Sequence, residues 1–214
     1  MPKAFTEQEK QLIRAQLLEE GGKQFAAYGL RKTNVEELTS AVGISKGAFY
    51  SFYESKEALF MDVAEEAEKQ FRIQVLAAIE KPGPNPRARL TGVLKLAFRL
   101  WKTIPVLQLF TKNEYAWLSR RIPAAALEEH LRADQTFFEE LLAHCREEGI
   151  PITISPQELG ALIYPLFLTS LHEDDFGAGV LTAGLDTLIE LVAAYCLGEV
   201  ETSPISNVEP MQSE

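Results

Sequence analysis

Groups able to do covalent or metal chemistry are sparse in these 214 residues. Of the three histidines, His130 and His144 stand fourteen positions apart on a strongly charged stretch, and His172 opens the run His172-Glu173-Asp174-Asp175. That run lines up metal-capable donors, but consecutive residues at a helix end point in different directions and rarely converge on one ion. Serine nucleophiles need a strained turn and a nearby base, and no GxSxG-type motif supplies them. Cys145 and Cys196 lack CxxC spacing, which argues against a disulfide framework or a zinc site. Both fall on apolar helical faces, where thiolate formation is disfavoured, so they read as core thiols. No enzyme activity, no metal and no cofactor are expected on these grounds.

A different chemistry is concentrated between Val35 and Tyr53, which read as a short helix, a tight turn at Gly43 and a second short helix. This helix-turn-helix arrangement places one helix in the major groove of DNA. In the second helix Ile44, Phe49 and Tyr53 fall on the side that packs against the first. Lys46, Gly47, Ala48 and Tyr50 fall near the open N-terminal end. Free N–H groups and the helix dipole attract phosphate there, small residues at 47 and 48 let the backbone approach base edges, and Lys46 adds a donor. The plain alternative is a solvated lysine and a tyrosine used in packing. Arg31 and Lys32 either hold phosphate or are merely solvated.

The elements that must position these residues are helical throughout. Thr6-Glu7-Gln8-Glu9 and Thr33-Asn34-Val35-Glu36 both carry the capping-box pattern, so Thr6 is expected to start a helix running to about Tyr28, closed by Gly29, and Thr33 to start the next. Gly21 and Gly22 inside the first helix imply that something packs closely against it. Ser45 caps a short helix through Tyr53, and Ser55 caps one to about Glu80. Lys81-Pro82-Gly83-Pro84-Asn85-Pro86 marks a boundary, followed by helices at about 87–103, 106–120, 123–148, 156–173 and 179–198. Pro165 is expected to kink the fourth of these. No strand is evident. The expectation is an all-α chain of about nine helices. Residues 1–56 form a three-helix helix-turn-helix domain with a connecting helix to about 80, 57–198 a helical ligand-binding and dimerisation domain, and 199–214 a disordered tail.

Composition agrees with a folded chain. Hydrophobic residues make up 46% and charged residues 24%, and no apolar run approaches the roughly 18 residues needed to span a bilayer. With no signal-peptide pattern at the charged start, a cytoplasmic protein without a membrane partner is expected. The net charge of -10 would by itself argue against nucleic acid. It is unevenly spread. Residues 1–56 carry eight Lys or Arg against seven Asp or Glu, and 57–214 carry thirteen against twenty-four, so the head is near neutral and the body acidic.

Residues 156–173 are apolar on nearly every side, and Leu181, Leu185, Leu188, Ile189, Val192 and Cys196 form a stripe on the following helix. Such faces must be covered, and two of these helices per chain make a four-helix dimer interface. The residues expected there are Leu162, Leu166, Leu181, Leu185, Leu188 and Val192. Between boundary and interface lie Phe98, Trp101, Phe110, Tyr115, Trp117, Phe137, Tyr164 and Phe167, with Phe138 beside them. These aromatics either line an effector cavity or fill a core, and helical spacing alone fits both.

The stretch GLRKTNVEELTSAVGISKGAFYSFYESKEALF resembles the N-terminal domain of the TetR (tetracycline-repressor) family of transcriptional regulators. The likeness runs from about Leu12 to Phe60. Its centre, Ala41 to Leu59, is similar to the family's A-x-G-(V/I)-S-K-G-x-(L/F)-Y-x-x-F-x-S-K-E-x-L. The resemblance implies that Lys46 and Ala48 read bases, that Tyr50 faces the groove, that Gly47 permits close approach, and that Thr33 and Lys56 meet phosphate. Phe52 departs from the family's usual His or Tyr, Tyr53 from its usual Phe, and Ala48 from a frequent Thr, which leaves a thymine methyl as the partner for Ala48. The resemblance further implies a homodimeric repressor that binds double-stranded DNA at a palindromic operator and is released by a small hydrophobic or aromatic effector. The competing expectation is a DNA-binding regulator whose C-terminal domain is a protein-interaction or activator module with no effector. A helical enzyme with an incidental helix-turn-helix is the third.

Overall fold

In the computed structural model, residues 5–108, 120–122, 124–170 and 179–200 are described, with the side chains of 124–127 excepted. Nine helices and no strand occur among the described residues. The first, α1 (Glu7–Lys32), opens with the expected capping box. The Thr6 hydroxyl accepts from the Glu9 N–H at 3.2 Å, and the Glu9 carboxylate accepts from the Thr6 N–H at 2.7 Å. Two donors that would otherwise be orphaned at the helix start are thereby satisfied. Gly29 interrupts α1 at φ 76°, a left-handed conformation that glycine adopts without steric penalty, and one further turn follows it.

The start of α2 (Val35–Val42) corrects the sequence expectation. Its N-cap is Asn34, whose side chain accepts from the Glu36 N–H at 2.9 Å. Thr33 cannot serve, because its hydroxyl donates back to the Gly29 carbonyl at 2.9 Å and closes α1 instead. Gly43, at φ 79°, ends α2. Ser45 caps α3 (Lys46–Phe49) by accepting from the Ala48 N–H at 3.1 Å. Shorter than expected, α3 gives way to tight turns in which the Ser51 and Phe52 N–H groups bond the Ala48 and Phe49 carbonyls at 3.0 and 2.9 Å. Ser55 then caps α4 (Lys56–Ile79) as expected.

The close approach implied by Gly21 and Gly22 is to α4. A Cβ at Gly21 would lie 3.2 Å from Leu59, and one at Gly22 would lie 3.6 Å from Val63. Phe25 on α1 meets Phe60 on α4 edge to face at 5.3 Å, and Leu17, Leu30, Leu38, Phe49 and Leu59 are fully buried around them. Burial of each such side chain contributes roughly 1.5 to 3 kcal/mol. This apolar cluster continues along α4 into the rest of the molecule, so α4 belongs to both the helix-turn-helix head and the body.

After the proline-rich connection, Asn85 caps α5 (Pro86–Thr103) with Pro86 in its first turn, and α6 (Pro105–Gln108) is one turn long. Most of the helix expected over 106–120 lies outside the described residues. The body is completed by α7 (Ala124–Glu147), α8 (Pro156–Ser170) and α9 (Val180–Cys196). The Ser155–Glu158 capping box forms at the start of α8, with both reciprocal bonds in place. α4 packs on α5 and α7, α8 lies against α7, and α9 packs on α5 and α8. At residue 199, where the tail is expected to begin, the Glu199 carboxylate pairs with Arg87 at 3.2 Å. Residues 201–214 lie outside the described ones.

Candidate nucleic-acid interface

α3 turns its apolar side inward and leaves its outer side open. Phe49 is fully buried and Tyr53 nearly so, their rings 6.0 Å apart, while Ile44 is half-buried against the same core. Lys46 and Gly47 are exposed, Ala48 is half-buried, and Tyr50 is 51% exposed although its ring meets Phe49 edge-on at 5.4 Å. The half-exposed Tyr50 ring thus stands beside Lys46 and Gly47 on the outer side of α3. The nearest atom to a Cβ at Gly47 would be the Ser45 hydroxyl at 3.9 Å, so the protein itself leaves that position open.

Lys46 is paired. Its ammonium lies 2.8 Å from the Glu36 carboxylate on α2, and this hydrogen bond, then the charge, holds the lysine above and the glutamate below their ordinary pKa values. Both are exposed, so the pair is weak and can be exchanged for a phosphate.

Thr33 and Lys56, read from the resemblance as phosphate contacts, have other work in this structure. Thr33 is buried, with its hydroxyl on the Gly29 carbonyl. Lys56 donates to the carbonyls of Arg31 and Thr33 at 3.0 and 2.8 Å. Together they fix the α1–α2 connection and thereby the start of α2. The Phe52 side chain packs its ring 6.0 Å from that of Phe5. Tyr53 has a role that the sequence pattern did not reveal. Its hydroxyl donates to Asp62 at 3.1 Å, and Arg14 bonds the same carboxylate at 2.7 Å while lying 5.3 Å above the Tyr53 ring. Burial, then the Asp62 charge, pushes the phenol up to about 12. This network ties α3's trailing turn to α1 and α4.

In the body the described aromatic residues stack on one another. Phe98 and Trp101 lie 4.3 and 4.9 Å from Phe167, and Phe71 links Trp101 to Phe137. Phe98 and Phe137 are buried, Trp101 and Phe167 half-buried, and Tyr164 is 42% exposed on the far side of Phe138. The Trp101 indole N–H is buried without an acceptor among the described residues. Phe110, Tyr115 and Trp117 lie outside the described residues.

The expected dimer face requires a correction. Leu185 and Val192 are buried within the single chain at 5% and 8% exposure, because that side of α9 faces inward. Leu188, at 43%, does face out, and Leu162, Leu166 and Leu181 are half-buried. The outward set also contains Leu168, Val180 and Leu191, 51% to 70% exposed.

A second polar constellation lies inside the body, between α4 and α7. Glu68 is 9% exposed, and its carboxylate sits 3.4 Å from Arg72 and 3.5 Å from His130. Arg72 reaches Asp134 at 2.9 Å, and Tyr164 donates to the other Asp134 oxygen at 3.0 Å. Burial, then the nearby Asp134 charge, pushes the Glu68 carboxyl up to about 8 against the opposing effect of Arg72. The sequence reading did not single out these residues. The available signal was two i, i+4 pairs, Glu68–Arg72 and His130–Asp134, but pairing one helix with the other required the fold.

With this geometry described, similarity to known proteins is informative. Residues 17–63 match the model for bacterial regulatory proteins of the tetR family. The chain is 29% identical over 124 residues to the HTH-type transcriptional repressor Rv1474c of Mycobacterium tuberculosis (strain ATCC 25618 / H37Rv), an alignment covering 58% of this chain and 54% of that protein. The chain thus spans about half the length of this curated relative. Among solved structures, FadR from Bacillus subtilis in complex with stearoyl-CoA matches with a TM-score of 0.60 at 16% identity, covering 84% of this chain and 97% of that one. RolR in complex with resorcinol matches with a TM-score of 0.60 at 19% identity, covering 91% and 90%. At such identities the structures establish a shared fold, while the matched segment contains the whole of α2 and α3 together with the caps that orient them. Over residues 17–63 the chain is thus similar to the tetR family of bacterial regulatory proteins.

Proposed function

We propose that this chain is a ligand-responsive transcriptional repressor that binds a palindromic operator as a homodimer and is released by a small-molecule effector. The observation that carries the reading is the open edge of α3, where Lys46, Gly47 and half-exposed Tyr50 stand uncovered above a buried Phe49–Tyr53 base. In a two-fold dimer two such edges face the same side of a duplex, about 34 to 36 Å apart, and a palindrome is the DNA counterpart of that symmetry. The outward apolar residues of α8 and α9, Leu168, Leu188 and Leu191 among them, support self-association through these helices. Thr33 and Lys56 act in this reading by setting the α1–α2 connection that meets the phosphate backbone.

The effector reading rests on the body. An aromatic cluster with a buried Trp101 indole N–H that has no acceptor among the described residues suits a hydrophobic or aromatic molecule carrying one hydrogen-bond acceptor. Proteins of this fold have been seen with stearoyl-CoA, which carries a long acyl chain, and with resorcinol, an aromatic diol.

The test is selection of bound fragments from genomic DNA of the source organism, followed by a salt titration on the best fragment. Recovery of a palindrome whose affinity falls steeply with salt supports the reading, since phosphate neutralisation requires that dependence. Tyr50→Ala should weaken specific binding by about 1 to 3 kcal/mol and leave the dimer intact. Unchanged binding by that variant, or enrichment of no sequence, overturns it.

A further inference from the structure

We infer that Glu68 on α4 with His130 and Asp134 on α7 forms a binding site for a divalent transition-metal cation. One ligand atom from each lies within 4.8 Å of the other two. Metal–ligand bonds of about 2.0 to 2.2 Å bring such atoms closer together than this, a contraction that small side-chain rotations supply. His130 and Asp134 are spaced i, i+4 and share one face of a long helix, while Glu68 faces them from another, so the three donors sit on rigid elements.

The chemistry of the site asks for a cation. A carboxylate 9% exposed needs close partners, yet the contacts to Glu68 from Arg72 and His130 are long, at 3.4 and 3.5 Å. Two carboxylates, Glu68 and Asp134, face the single guanidinium of Arg72. Two carboxylate oxygens and an imidazole nitrogen form a donor set used for zinc and its first-row neighbours. Asp134 is already oriented by Arg72 on one oxygen and Tyr164 on the other, as outer partners of a ligating carboxylate are. On binding, Glu68 exchanges Arg72 for the ion and Arg72 remains on Asp134. The site would join α4, whose first residue Lys56 holds the α1–α2 connection, to α7 of the body. It stands independently of the operator and effector readings.

The test uses the full chain, stripped with EDTA and passed through gel filtration after addition of zinc, with metal counted per chain and the melting temperature recorded. One zinc per chain and a raised melting temperature are expected. Cobalt in its place should give visible d–d absorption of a nitrogen- and oxygen-ligated ion. His130→Ala and the near-isosteric Glu68→Gln should each lower zinc affinity at least tenfold, while His144→Ala, on the same helix but beside Glu80 and Glu147, binds as the unaltered chain does. If His130→Ala fails to fold by circular dichroism, Glu68→Gln decides. Failure to retain zinc, or retention unchanged in Glu68→Gln, overturns the inference. No step involves DNA, so failure of the operator reading would be seen separately.

Discussion

The Lys46 ammonium at the start of α3 lies 2.8 Å from the Glu36 carboxylate of α2, so the donor proposed to meet DNA is held by an acid on the neighbouring helix. Both side chains are more than half exposed, which makes the pair easy to open. Glu36→Gln should therefore raise affinity for any duplex severalfold at low salt, by freeing Lys46 and removing a charge that repels phosphate. Lys46→Ala should reduce the salt slope of the unaltered chain by about one. A binding isotherm for Glu36→Gln that matches the unaltered chain would show that Glu36 does not compete with DNA.

Gly47 separates folding from recognition. A Cβ there meets nothing in the chain closer than 3.9 Å, and alanine is favoured over glycine in a helix by about 1 kcal/mol. Gly47→Ala should thus fold with equal or greater thermal stability yet bind the operator at least tenfold more weakly, because the added methyl occupies the space into which a base edge would come. Full operator affinity in a stable Gly47→Ala protein would remove α3's N-terminal edge from the DNA contact.

Lys56 is expected to serve stability as well as binding. Its two bonds, to the Arg31 and Thr33 carbonyls, are charge-assisted and partly shielded, so Lys56→Ala should cost about 1 to 2 kcal/mol. For a chain of this size that amounts to a fall of several degrees in melting temperature. A phosphate contact alone would weaken DNA binding and leave the melting temperature where it was, and differential scanning calorimetry distinguishes the two.

What the sequence could reveal follows from how local each signal is. The capping boxes at Thr6 and Ser155, the caps at Ser45 and Ser55 and the turn at Gly43 are set by residues within three or four positions, and all were legible. The role of Thr33 is not legible locally, because its hydroxyl has two competing partners, the α2 N–H groups ahead and the Gly29 carbonyl behind, and only the break at Gly29 decides between them. Leu185 and Leu188 lie on one apolar stripe in sequence, yet the first faces α9's own core and the second faces out, a division created by where α5 packs. The edge of α3 was readable because its inward and outward residues alternate within eight positions. The Arg14–Asp62–Tyr53 and Glu68–His130–Asp134 groups were not, since Arg14 and Glu68 reach their partners only by helix packing across 39 or more positions of chain.

Cys145 and Cys196 give the remaining test, since both thiols are buried and burial pushes them up to about 11 and about 12. The thiolate is the reactive form, so the folded chain should resist iodoacetamide at pH 9, where an unfolded thiol is about half ionised. At least a hundredfold protection relative to the same protein in denaturant is expected, measured by mass spectrometry of the alkylated chain. Because the folded chain holds these protons more tightly than the unfolded one, their contribution to stability is complete below about pH 9 and is lost as pH rises towards 11 and 12. Cys145→Ala with Cys196→Ala should flatten the fall in melting temperature above pH 9. Rapid alkylation of the native protein would place at least one thiol in an open environment and refute the burial of both.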